Sequence, residues 1–166
     1  MGDKIPLTSE KAIVVDGYFN ISETYNAVKN FLENERHYDM GEGIFTEKND
    51  GNSRYLYSVM TGNFKYSDFL QINIPIKLEL KGNEVEVEEN GKKVILIKGS
   101  AKLVTTAYGD ADWMGKRKST PFMTFLVKMV DKFYGKDSMK KFMKKGADDV
   151  DSLVAVFKRN MRANIK

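Results

Sequence analysis

Tyr55 and Tyr57 stand two residues apart in the run Arg54-Tyr-Leu-Tyr-Ser-Val-Met-Thr-Gly62, whose aromatic and β-branched residues favour a strand. On a strand both phenols share one face. Two hydroxyls so placed can orient the polar end of a ligand inside an otherwise apolar cavity, whose walls we assign to Ile74, Leu103, Phe125 and Met129. The aromatic residues and the methionines of the C-terminal half serve a packed core by the same physics, since flexible thioethers fill irregular gaps as readily as they adapt to ligands. A second group, Gly109-Asp-Ala-Asp-Trp113, sets two carboxylates beside an aromatic. On extended chain Asp110 and Asp112 point the same way, as a hard cation or an acid and base pair would require. A Gly- and Asp-rich turn before a helix explains the same residues, and no third carboxylate completes a ligand set.

Other chemistries are excluded by composition. The chain has no Cys, so disulfides, thiolate metal sites and cysteine nucleophiles are absent. Its single histidine, His37, follows Glu35-Arg36 at a helix end and cannot build a zinc site of the usual types. Gly41-Glu42-Gly43 lacks the lysine and spacing of a phosphate loop. We therefore expect no cofactor and no metal, and binding rather than catalysis. An enzyme of the cyclase or hydrolase kind would lack a distinctive acid, base or nucleophile.

Charge supplies the alternative. Residues 115–166 carry 14 Lys and Arg against 5 Asp, a net of +9, while residues 1–114 sum to −5. Lys136, Lys140 and Lys144 repeat at helical spacing with Lys141 and Lys145 beside them, a basic ridge that would suit nucleic acid or an anionic membrane. Any solvated amphipathic helix carries such a ridge too, and the low Arg content disfavours bidentate phosphate readout. A purely structural or interaction module is the remaining reading, with no partner specified. No apolar run approaches the roughly 18 residues of a membrane span, and the polar first ten residues lack the pattern of a secretory signal, so a cytoplasmic location is expected.

These residues need elements to hold them. Lys11 to Phe19 reads as a first strand, and a helix from about 22 to 35 follows, capped by Asn20 or Ser22, with Tyr25, Val28, Phe31 and Leu32 on one face. Strands are expected at 42–48 and 54–62, joined by a turn at Asn49-Asp-Gly-Asn52. Leu70 to Leu80 alternates without a break and would span roughly 36 Å. Lys81-Gly82-Asn83 reads as a turn, Glu84 to Glu88 as a short strand, Asn90-Gly91 as a tight hairpin, and Lys93 to Tyr108 as a long extended stretch with a bulge or kink at Gly99-Ser100. From Ser119 the apolar period becomes helical, breaks at Gly135, and resumes with Met139, Phe142, Met143, Val150, Leu153, Val154, Phe157 and Met161 facing inward and Gly146 as a bend.

The sum is one α+β domain over residues 1–166, with residues 1–10 a disordered tail. It is a curved antiparallel sheet of about six strands that packs an N-terminal helix and long C-terminal helices. This order resembles the helix-grip fold of the START-like lipid-transfer and birch-pollen-allergen superfamily. The resemblance lies in Val14-Val15-Asp16 leading through Tyr18-Phe19 into a helix, and in the Trp113 region leading to the terminal helix. The chain departs from that pattern in having no clear second short helix after Arg36 and in the break at Gly135. The resemblance implies a small-molecule or lipid-binding protein with an apolar cavity between sheet and C-terminal helices.

The pleat by itself makes one prediction. With even-numbered residues of Leu70 to Leu80 inward, Ile74→Asp should cost several kcal/mol in a thermal melt, whereas Asn73→Asp should be nearly silent.

Overall fold

Leu70, Ile72, Ile74, Ile76, Leu78 and Leu80 are all buried on one face of a central strand, as their alternation requires. The computed structural model describes residues 3–67, 70–111 and 135–162. They form strands β1 (Asp3–Pro6), β2 (Lys11–Phe19), β3 (Asp39–Asp50), β4 (Ser53–Lys65), β5 (Leu70–Glu89), β6 (Lys92–Thr105) and β7 (Tyr108–Ala111). Helix α1 (Ile21–Asn30) continues into a π-helical turn, Phe31–Glu35, and helix α2 spans Gly135–Arg159. All seven strands join one antiparallel sheet, so the class is α+β.

β5 is its axis. β4 lines one edge, and the other is shared end to end by β7, opposite residues 70–73, and β6, opposite residues 76–89. Pro75, which has no N–H to donate, sits in the gap where the neighbour changes. β2 then pairs with β6, β1 with β7, and β3 closes the far edge beside β4.

Three expectations about the strands need correction. Residues 3–6 are no disordered tail, and they supply the seventh strand: Ile5 and Leu7 are buried, and Leu7 N–H donates to Ala107 O at 2.9 Å. Lys81-Gly82-Asn83 is not a turn, because β5 runs through it for 20 residues. Gly82 instead stands in register with Gly99, and Gly99 with Gly17. A Cβ on Gly99 would lie 2.0 Å from Lys81 O and one on Gly82 2.4 Å from Lys98 O, so the backbones meet more closely than any side chain permits, and the sheet bends sharply along this row. Asn73 is also buried, at 4% exposure, between Asn63 and Tyr108 of the neighbouring strands. The outer pleat of a central strand is not free at this point, and Asn73→Asp joins Ile74→Asp as a costly change.

α2 lies on the inner face of the sheet with Phe142, Val150, Leu153 and Phe157 fully buried. Met143, expected inward, is 40% exposed because it follows Phe142 around the helix. Gly146 makes no bend. It lets α2 approach the chain after β1, since a Cβ there would lie 2.5 Å from Leu7 Cδ1. The stretch from Ser119 expected to be helical lies outside the described residues. One polar tie joins α2 to the segment after the π-helical turn. Tyr38 Oη donates to Asp149 Oδ2 at 2.7 Å, Lys145 Nζ reaches the same oxygen at 2.9 Å, and Arg36 Nε approaches Oδ1 at 3.6 Å. Burial, then the bond to Asp149 and its charge, push the Tyr38 phenol far above its ordinary pKa.

If the glycine row sets the bend, Gly99→Ala should destabilise by about 3 kcal/mol, a fall in Tm on the order of 10 °C. Gly41→Ala on the edge strand, where a Cβ would sit 3.9 Å from Thr61 O, should leave the melt nearly unchanged.

Candidate ligand site

α1 starts where Asn20 accepts a hydrogen bond from Glu23 N–H at 3.0 Å, with Thr24 Oγ1 donating to Asn20 O at 2.7 Å. This start buries Thr24 and Val28 in the core and sets Tyr25, half-buried, toward β3. β3 would normally present alternate residues to the helix. Its register shifts at Gly43, between the pairs Glu42↔Met60 and Ile44↔Val59, so Glu42 and Phe45 both face inward. Tyr25 Oη therefore donates to Glu42 Oε1, and the Tyr25 ring meets Phe45 edge-on at 5.5 Å and 72°.

Ser58 completes the group from β4. It pairs with Phe45 on one side and Leu78 on the other, is fully buried, and its Oγ meets no partner at good hydrogen-bond geometry among the described residues, the Tyr25 phenol standing nearby. A hydroxyl left so costs about 1–3 kcal/mol. Burial, together with the bond to Glu42 and its charge, pushes the Tyr25 phenol up to about 12, while a weak hydrogen-bonding interaction with the Ser58 hydroxyl acts in the lowering direction. Along the same face lies a groove of about 190 Å³ bounded by Asn20, Ile21 and Ser22 at the head of α1, by Glu47 and Asn49, and by Ile95 and Ile97. Arg54 closes its floor through Glu84, Nη2 to Oε1 at 2.9 Å, and holds Gly51 O at 2.7 Å with Nη1. Ile95 is 60% exposed there and Phe45 48% exposed beside Tyr25, so apolar surface faces solvent next to polar groups.

The residues singled out from sequence fall in different places. Tyr55 and Tyr57 do share a face, but it is the outer one, because Leu56, Ser58 and Met60 alternate with them into the core. Ile74 and Leu103 are fully buried, packed beneath the helices. Phe125 and Met129 lie outside the described residues, as do Asp112 and Trp113. Of the basic ridge, Lys140, Lys141 and Lys144 are exposed, and Lys136 lies in the first turn of α2. Lys145 is turned inward onto Asp149 and the Phe64 ring, 4.4 Å from its centroid, and is taken out of any polyanion surface. His37 is exposed at φ 63°. Among the described residues no three His, Cys, Asp or Glu side chains gather as metal ligands, and no helix is long and apolar enough to cross a membrane.

Sequence reasoning missed Ser58, Glu42 and Phe45 as a group. Ser58 was findable, since Leu56-Tyr-Ser58-Val-Met60 sets a polar residue in an inward position. Glu42 was not, because its inward direction depends on the bulge at Gly43.

An α+β architecture with an antiparallel sheet holding helices on one face is the class these elements define. No family model matches the chain, and no curated protein matches it. Among solved structures, the di-domain ARO/CYC BexL from the BE-7585A biosynthetic pathway is similar at 10% identity over 96% of this chain and 52% of that one, with a TM-score of 0.30. The chain thus spans about half the length of that protein. A likeness this distant carries no argument for what the chain does.

The raised Tyr25 pKa makes stability depend on pH in a defined window. The unfolded phenol ionises near 10 and the folded one at about 12, so between these values the unfolded chain has released a proton that the native state keeps. Its stabilisation is complete below pH 10 and is lost as pH rises toward 12. Tyr25→Phe should flatten the fall of Tm in that window and remove one late step from the tyrosinate absorbance titration.

Proposed function

We propose that this protein binds an amphipathic small molecule at the rim between α1 and the inner face of β3 and β4. The molecule's apolar body lies against Phe45, Ile95 and Ile97, and its hydroxyl or carbonyl end meets Ser58 and Tyr25. The observation that carries this reading is the accessible Tyr25–Glu42 pair beside the exposed Phe45 ring, with the poorly satisfied Ser58 hydroxyl directly beneath it. A ligand oxygen at the rim that takes over the Tyr25 phenol would leave it free to turn toward Ser58. The element order, which resembles the helix-grip arrangement, supports a lipid-like or otherwise apolar ligand class. This site is distinct from the cavity expected beneath the C-terminal helices, whose Phe125 and Met129 lie outside the described residues.

Ser58→Ala separates binding from folding. Removing an unsatisfied buried hydroxyl should raise the stability of the ligand-free protein by about 1 kcal/mol, or about 2–4 °C in Tm. The same change should weaken binding of a fluorescent fatty acid by roughly fivefold, which corresponds to a hydrogen bond of about 1 kcal/mol. Native mass spectra without retained ligand, together with equal affinity of wild type and variant for the probe, would refute the proposal.

A further inference from the structure

The pleat sorts charge across the sheet. Residues 1–114 sum to −5, yet the outer face of their sheet is basic. In register across it run Lys48, Tyr55, Lys81, Ser100 and Asp16, and next to them Thr46, Tyr57, Glu79, Lys102 and Val14. Lys77 adds to this face on one side and Lys98 on the other, and both are exposed. Of the acids there, Glu79 is already engaged by Lys81 at 3.3 Å and Asp16 stands at the far edge. Asp50, in register with Ser53, Asn83 and Lys98, and Asp39 and Glu89 near the strand ends share the outer pleat, whereas Glu42, Glu47, Glu84 and Glu86 take the inner one.

Aromatic rings lie among these lysines. Tyr55 and Tyr57 sit on adjacent outward positions of β4, each partly exposed, Tyr55 between Lys48 and Lys81 and Tyr57 between Thr46 and the lysine-paired Glu79. Tyr18 stands beside Lys98, whose Nζ is 5.8 Å from the ring centroid. Between them lies an open trough of about 830 Å³ lined by Tyr18, Lys81, Asn83, Lys98 and Ser100 over the backbone of the glycine row, with Asp16 also on its wall. Partly exposed rings that offer a π-face, set among point cations on an open sheet, match the chemistry of a single-stranded nucleic acid: bases stack, and phosphates meet ammonium groups. A membrane fits less well. The large apolar side chains exposed on this face, Val14 and Ile44, stand at opposite edges and form no surface to insert.

We infer that the outer sheet face binds single-stranded nucleic acid without strong sequence preference, with Tyr55 and Tyr57 as stacking platforms and Lys77, Lys81, Lys98 and Lys102 on the phosphates. Lysine, a point charge with no bidentate fork, contacts phosphate without reading bases. This surface is separate from the rim of α1 and from the ridge on α2.

Anisotropy of labelled single-stranded oligonucleotides of about 15 nucleotides tests it. At low salt the protein should bind them in preference to duplex. The logarithm of affinity should fall with the logarithm of salt at a slope near −3, about −0.7 for each of four phosphates. Lys81→Glu with Lys102→Glu should lower affinity at least roughly tenfold. Tyr55→Leu with Tyr57→Leu should lower it at least about fivefold with the salt slope unchanged, which a merely electrostatic surface would not do. Lys140→Gln with Lys141→Gln and Lys144→Gln should leave it within about twofold, and all variants should keep the wild-type melt. The inference is overturned by absence of binding at low salt, by equal affinity for duplex with the tyrosine variants silent, by loss of binding in the α2 variant, or by capture on phosphatidylserine vesicles without capture of oligonucleotides.

Discussion

The close approach of β5 and β6 at Gly82 and Gly99 governs how this sheet receives its helices. Backbone atoms there stand where a Cβ would have to lie, so only glycine fits on both strands at once. Gly17 carries the same bare position into β2. A 20-residue strand that stayed flat would reach far beyond any helix laid across it. With the bend, the stretch from Leu70 to Leu80 keeps its apolar face under α2. The arm beyond reverses its pattern, with Val85 and Val87 on the outer pleat and Glu84 and Glu86 on the inner one.

The helices are located by a few specific contacts on the inner side of that bend. Gly146 and Gly109 give α2 its depth, against Leu7 and Phe142 respectively. The Tyr38–Asp149–Lys145 group fixes its rotation, since a buried carboxylate without these donors would be strongly disfavoured. At its far end Arg162 exchanges two backbone hydrogen bonds with Tyr18 and meets Glu89 at 2.6 Å, which pins the tip of the β5–β6 arm to the chain beyond α2. α1 meets β3 through a polar contact. Its Tyr25 faces Glu42 and the exposed Phe45 ring instead of the aliphatic core, and the poorly satisfied hydroxyl of Ser58 lies beneath this contact.

The two faces of the sheet divide the chemistry. Inward, apolar residues are interrupted by Ser58, and the rim is acidic. Outward, lysines and tyrosines share the pleat. The same strand contributes to both, and β4 does so residue by residue: Tyr55 and Tyr57 outward, Leu56, Ser58 and Met60 inward.

Features that arise from local periodicity and turn chemistry were legible in the residues alone. The alternation of Leu70 to Leu80 specified a strand with its buried face correctly identified, Asn20 capped α1, and Asn90-Gly91, at φ 54° and 76°, made the hairpin that the pair implies. Pro75 stood at a change of neighbour, as a residue without an N–H must. Features that need a second element were settled only by tertiary contact. Asn73 is polar and outward by the pleat, yet its neighbours Asn63 and Tyr108 bury it. Gly82 reads as a turn until Gly99 is seen opposite it. Ile5 and Leu7 read as tail until β7 and α2 supply their partners. Residue spacing put Tyr55 and Tyr57 on a common face but could not say which face it was, because a period of two is identical on both sides of a strand and only the helices distinguish inside from outside. For Glu42 even the period fails, since one extra residue at Gly43 turns it inward, and a bulge is a property of the pair of strands, not of either alone.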